Sequence, residues 1–137
     1  MAKSQSLNFQ PTIVEKIVTL GVASGTVVGP AVPAGCVVLS AGIEFITAPG
    51  SAGTSSTVAI GEGTTANLAA VTMQAKAAGT ILGGVVPSFI AAADTIDAIQ
   101  VVTGAGLVAA TARVWAVVCP VTESTRAAAE VDRDTLA

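Results

Sequence analysis

The sequence predicts an all-β chain: an antiparallel β-sandwich or jelly-roll-like domain with an extended N-terminal arm and a short C-terminal tail of helical propensity. Three observations predict it. Between Ile17 and Thr122, runs rich in Val, Ile and Thr are broken by Gly and Pro roughly every 8 to 12 residues, the spacing of short strands and turns. Within "GIEFIT" and "TARVWAVV" apolar and other side chains alternate with period two, as on a strand with one buried face. Charge is confined largely to the ends: residues 17–122 hold only Glu44, Glu62, Lys76, Asp94, Asp97 and Arg113, whereas Glu15 and Lys16 close the arm and six charged residues occupy the last fifteen. Charge and composition thus divide the 137 residues into an arm (1–16), a β domain (17–122) and a tail (123–137), a length suited to one hydrophobic core.

Strands are expected near Ile13 to Leu20, Thr26 to Val28, Cys36 to Thr47, Ser56 to Ile60, Thr80 to Val86, Thr95 to Thr103 and Leu107 to Val118. In the third, Ile43 and Phe45 alternate with Glu44 and Ile46. In the last, Ala112, Val114, Ala116 and Val118 alternate with Arg113, Trp115 and Val117, so Arg113 and Trp115 share a face opposite the small residues. "TGAG", Thr103 to Gly106, reads as a Gly-rich hairpin turn between the last two strands. Thr64 to Gly79 is an internal helix candidate, because Leu68, Val71 and Ala75 recur at helical spacing. In the tail, good helix formers and the Arg126–Glu130 pair at i, i+4 favour a helix that would be marginal alone at this length.

The composition excludes several functions. The chain has no His, so an imidazole base, a Ser-His-Asp or Cys-His couple and a His-bound zinc are all ruled out. A net charge of −3 and a pI near 4.6 provide no basic field for nucleic acid, whose binding domains carry a pI above about 9. Mean hydropathy is high, +0.76, and Ile17 to Ile43 lacks charge. That run is nevertheless interrupted by Gly21, Gly25, Gly29, Pro30, Pro33, Gly35 and Gly42, which argues against a transmembrane helix. The first residues also lack the apolar stretch of a secretory signal.

Four constellations of residues bear on chemistry. Gly61, Gly63 and Ala66 fit G-x-G-x-x-A after a predicted strand, but no acidic residue follows at about 20 positions and no βαβ alternation surrounds them. The glycines are therefore read as a turn. Asp94 and Asp97 lack the further oxygen ligands of a calcium loop and read as a solvated turn entering a strand. Cys36 and Cys119 have no metal-ligand spacing and read as buried thiols; a disulfide would require neighbouring strands and an oxidising compartment. Arg113 beside Trp115 reads as an interface or a salt-bridged face. No active site, cofactor, metal or small-molecule substrate is expected.

The segments "VPAGCVVLSAGIEFITA", "SSTVAIGEGTTANLAA" and "AAADTIDAIQVVTGAGLVAATARVWAVVCPVT" together resemble small bacteriophage virion proteins, in particular head decoration (cement) proteins. The resemblance spans residues 32–122 and rests on pattern and composition, so no site residue follows from it by motif. It implies a β-sandwich or jelly roll, commonly trimeric, made in the host cytoplasm and bound to the major capsid protein on the capsid surface. With 52% hydrophobic and 11% charged residues, against about 25% charged in an average domain, the surface is short of solubilising groups, and self-association is expected on that ground too. The arm, with Lys3, Phe9, Gln10 and Pro11, is suited to an extended strap: twelve extended residues reach up to about 40 Å. The expected partner contacts are these four residues with Arg113 and Trp115. A tail, fibre or host-binding adhesin module is the competing reading; the scarcity of aromatics, Phe9, Phe45, Phe89 and Trp115 alone, weighs against it.

Overall fold

The structure, a computed structural model, describes residues 10–50, 56–62, 65–73, 76–84 and 88–121. Ten strands follow in chain order: β1 (Thr12–Leu20), β2 (Gly25–Val27), β3 (Ala31–Val32), β4 (Cys36–Phe45), β5 (Thr57–Glu62), β6 (Thr65–Thr72), β7 (Ile81–Gly84), β8 (Ser88–Ile90), β9 (Asp94–Val101) and β10 (Ala110–Pro120). β2 and β3 both pair with β9, and β7 and β8 both pair with β4, so each couple is one interrupted strand. The eight resulting strands form two antiparallel sheets, β1-β10-β4-β7/β8 and β2/β3-β9-β5-β6. Apart from the β5–β6 hairpin, every connection between these eight crosses from one sheet to the other. That winding is a jelly roll, within the fold class the sequence predicts.

The alternation seen in the sequence decides what lies between the sheets. Ile43 and Phe45 of β4 and Ala112, Val114 and Ala116 of β10 point inward and are fully buried against Val58, Ile60, Ile96 and Ala98 of the second sheet. Because the inner face of β10 is mostly alanine, the core volume is filled by larger neighbours, Phe45, Leu20, Ile43, Ile60, Leu68 and Ile96. Gln100 also points into this space. It accepts from Gly21 N (3.2 Å) and donates from Nε2 to Gly21 O (3.1 Å), satisfying its buried amide while fastening the β1–β2 loop to β9.

Three expectations are corrected. Within the helix expected over Thr64 to Gly79, Thr65–Thr72 form β6, paired with β5 from Thr57↔Thr72 to Glu62↔Thr65, while residues 64, 74 and 75 lie outside the described residues. Leu68 does face the core, but the ladder to β5 supplies the backbone hydrogen bonds a helix would have made internally, and this pairing overrides alanine's helical preference. "TGAG" is not a hairpin turn, because β9 and β10 lie in different sheets. Gly104 and Gly106, with φ of 83° and 104°, turn the chain across the sandwich, and Val108 N then bonds Pro49 O at 3.0 Å. Asp97 is not on a solvated turn: it lies inside β9, is 4% exposed, and its Oδ1 accepts from Gly29 N at 3.1 Å. Asp94 is the exposed one, accepting from Thr95 N at 2.8 Å. Strands β3 and β8 are short pieces that lie outside every strand expected from the sequence. Thr12–Lys16, grouped with the arm by charge, are paired to β10 throughout. The tail from 123 on lies outside the described residues.

Candidate functional site

The outer face of the β1-β10-β4-β7/β8 sheet is assembled from the residues that alternate with the core. Arg113 is flanked by Ile17 of β1 and Glu44 of β4; Trp115 by Glu15 and Gly42; Val117 by Ile13 and Ser40. Beyond β4, Ile81 lies opposite Glu44, Gly83 opposite Gly42 and Phe89 opposite Val37. A bulge between Val117 and Val118 of β10 leaves Leu39 of β4 unpaired and outside the ladder. Ile46 continues the parity of Glu44. Of the ten large hydrophobic side chains exposed among the described residues, six belong to this face: Ile13 (65%), Ile17 (59%), Ile81 (63%), Phe89 (52%), Leu39 and Ile46. Such clustering marks a contact surface rather than scattered exposure.

Its charges are engaged with one another. Arg113 Nη1 lies 3.3 Å from Glu44 Oε2 and Arg113 Nε 3.7 Å from Glu15 Oε2, a three-strand bridge in the middle of the apolar field. At this exposure each pair contributes about 0 to 1 kcal/mol, so the bridge sets the character of the face more than the stability of the fold. Trp115 lies across two glycines. A Cβ on Gly42 would stand 2.6 Å from its Cζ2 and one on Gly83 3.0 Å, so the absence of side chains on two adjacent strands makes the bed in which the indole rests. Trp115 Nε1 and Arg113 Nε are both out of solvent and make no hydrogen bond.

The structure brings Arg113 and Trp115 together on one face, as their alternation requires. Gln10 and Pro11 are exposed immediately before β1, at the end of the sheet where Thr12 pairs with Val118. Lys3 and Phe9 lie outside the described residues. Sequence reading missed Ile13 and Ile17, whose shared parity with Glu15 was available to it. It could not see the Gly42–Gly83 bed, which exists only because β4 and β7 are neighbours.

Elsewhere the geometry offers little chemistry. Gly61 of the glycine motif is buried inside β5, opposite Asp97, and Glu62 accepts a hydrogen bond from Ser88 Oγ. A shallow hollow opens between β1 and the β2–β3 segment, where Lys16 Nζ donates to Val28 O at 2.9 Å. Among the described residues no three His, Cys, Asp or Glu side chains are grouped to hold a metal ion, and no helix is long and apolar enough to cross a membrane.

The cysteines do lie on neighbouring strands, but Cys36 pairs with Pro120 and Cys119 with Val37. They occupy successive rungs, and successive rungs point to opposite faces of a sheet. Both are buried thiols. Burial pushes the Cys36 thiol above its ordinary 9.0, and Cys119 nearby adds to the shift. The folded state therefore keeps this proton after the unfolded chain has released it, so the stabilisation is complete below pH 9 and is lost as pH rises through the folded value. Urea unfolding at pH 8 and pH 10 is expected to show a larger alkaline loss of stability for the wild type than for Cys36→Ala; equal losses would contradict this.

No family model and no curated protein matches the chain. Among solved structures it is similar to a chain of the acidic stable capsid structure of Helicobacter pylori bacteriophage KHP30, with a TM-score of 0.57 and 16% identity over 78% of this chain and 86% of that one. At that identity the likeness is one of fold, and it extends over most of both chains.

Proposed function

We propose that this chain is a structural protein of a bacteriophage virion that binds the outside of the capsid as a homo-oligomer and cements the shell. The observation that carries the reading is the apolar outer face of the β1 sheet, whose charges, Arg113 between Glu15 and Glu44, leave a net of only −1. A lone soluble subunit seldom leaves such a field open, whereas an assembled one covers it. The fold likeness to a capsid chain supports the reading, and the two coverages make that chain comparable in length to this one, the size of a small subunit. Cementing requires no catalysis: each copy of an oligomer touches several shell subunits, and contacts that exist only in the lattice stabilise it by mass action. Lys3, Phe9, Gln10 and Pro11 are assigned to the shell contact, with Phe9 as an apolar anchor, and Arg113 and Trp115 to an interface.

The test is to locate the chain on purified particles of the phage that encodes it and to compare particles with and without it. The expected result is regular density on the head and, for particles lacking the chain, failure at a lower temperature. A chain lacking residues 2–9 should still fold but occupy fewer sites. Density on the tail, or equal failure temperatures with and without the chain, would overturn the reading.

A further inference from the structure

We infer that the outer face of the β1-β10-β4-β7/β8 sheet is the surface through which copies of this chain associate, which leaves the arm to meet the shell. This deepens the self-association in the function proposed above and rests on it.

Size is the first argument. β1, β4 and β10 run 9, 10 and 11 residues. At about 3.4 Å per residue and about 4.8 Å between strands, four strands offer a field of roughly 650 Å² in projection. Side-chain relief brings this close to the roughly 800 Å² per partner of a stable protein–protein interface. Ile13 and Ile17 form one margin of the field, Ile81 and Phe89 the other, and the flat indole of Trp115 on its glycine bed forms the centre.

Charge is the second. Glu15 and Glu44 are both turned to Arg113, so the trio carries a net charge of only −1 and gives the face little with which to select an oppositely charged partner. Its occupant must itself be broad and apolar. The second sheet offers a poorer surface: its outward side chains include Thr26, Thr57, Ala59 and Thr95, and its large, well-exposed apolar side chains among the described residues are Val101 and, just past β2, Val28. Among the described residues the large apolar face is thus that of the β1 sheet, and another copy supplies its match. Two copies face to face, or three with the face turned to a common axis, would both cover it.

The test uses the full chain and charges placed so that the fold can accept them. Ile17→Glu stands opposite Arg113 and Ile81→Lys opposite Glu44, each exposed and each beside a complementary neighbour. Sedimentation is expected to show an oligomer for the wild type and for a Val101→Lys control on the other sheet. The double variant should be a monomer at concentrations at least 100-fold above those that dissociate the wild type, with an unchanged circular dichroism spectrum. Should the double variant fail to fold, Ile13→Lys on the same face must dissociate the assembly alone. A wild-type oligomer with both face variants equally associated would overturn this assignment and leave the self-association standing; a wild-type monomer at tens of micromolar would overturn both.

Discussion

Replacing Gly29 by alanine is expected to destabilise the fold by about 3 kcal/mol or more, a large part of the 5 to 15 kcal/mol that holds a domain together. Gly29 sits buried between β2 and β3, where the edge strand of the second sheet is interrupted against β9. A Cβ there would stand 1.9 Å from the carbonyl oxygen of Ile96 and 3.2 Å from Cγ1 of Val114. The first obstacle is backbone, and this stretch of backbone cannot yield: Ile96 N is bonded to Pro30 O at 2.9 Å, and β9 is paired to β5 along its other edge. The β2–β3 edge would have to move away instead, breaking the bond from Gly29 N to Asp97 Oδ1 and leaving a buried carboxylate without that donor. Thermal and urea unfolding of the variant check this. A melting temperature within about 2 °C of the wild type would show that the edge can shift at little cost.

The second large effect is expected at Phe45→Ala, at about 3 to 5 kcal/mol. Phe45 is fully buried at the end of β4 and heads the buried side chains in volume. Its backbone is held on both sides, with Phe45 N donating to Thr80 O (2.9 Å) and Gly79 N to Phe45 O (2.7 Å), so the chain cannot collapse into the space the ring leaves. The facing inner positions of β10 are alanines, too small to fill it. Ile17→Ala, an exposed truncation on the same sheet, should change monomer stability by no more than about 0.5 kcal/mol. Urea midpoints for the two variants compare them directly, and a Phe45→Ala loss below 1 kcal/mol would contradict the packing described here.

The two kinds of position differ in how far the sequence reveals them. Glu44 and Arg113 are legible as outward residues because each interrupts an apolar alternation, and strand geometry converts that alternation into two faces with no further information. The same rule extends to Ile13 and Ile17, which share the parity of Glu15. Gly29 and Gly42 are legible only as glycines. What forbids a side chain at each lies far along the chain: the carbonyl of Ile96 in one case, and the carbonyl of Leu82 together with the ring of Trp115 in the other. Asp97 belongs with them: its spacing from Asp94 suggests a turn, and only the arrival of Gly29 N explains why a carboxylate is buried there.

By itself, then, the sequence determined that this chain is an antiparallel β protein without an imidazole, that β4 and β10 each have a core side and an outer side, and that the surface is short of charge. These follow from composition and a two-residue period, which are local. Which strands are neighbours was decided by the tertiary structure alone. Thr65–Thr72 became a strand because β5 offered it a ladder, and Thr103–Gly106 became a passage between sheets because β9 and β10 each found other partners. A glycine turn sets the direction of the chain for a few residues, whereas strand order is set by burying both inner faces at once, a condition on the whole chain that no short segment carries.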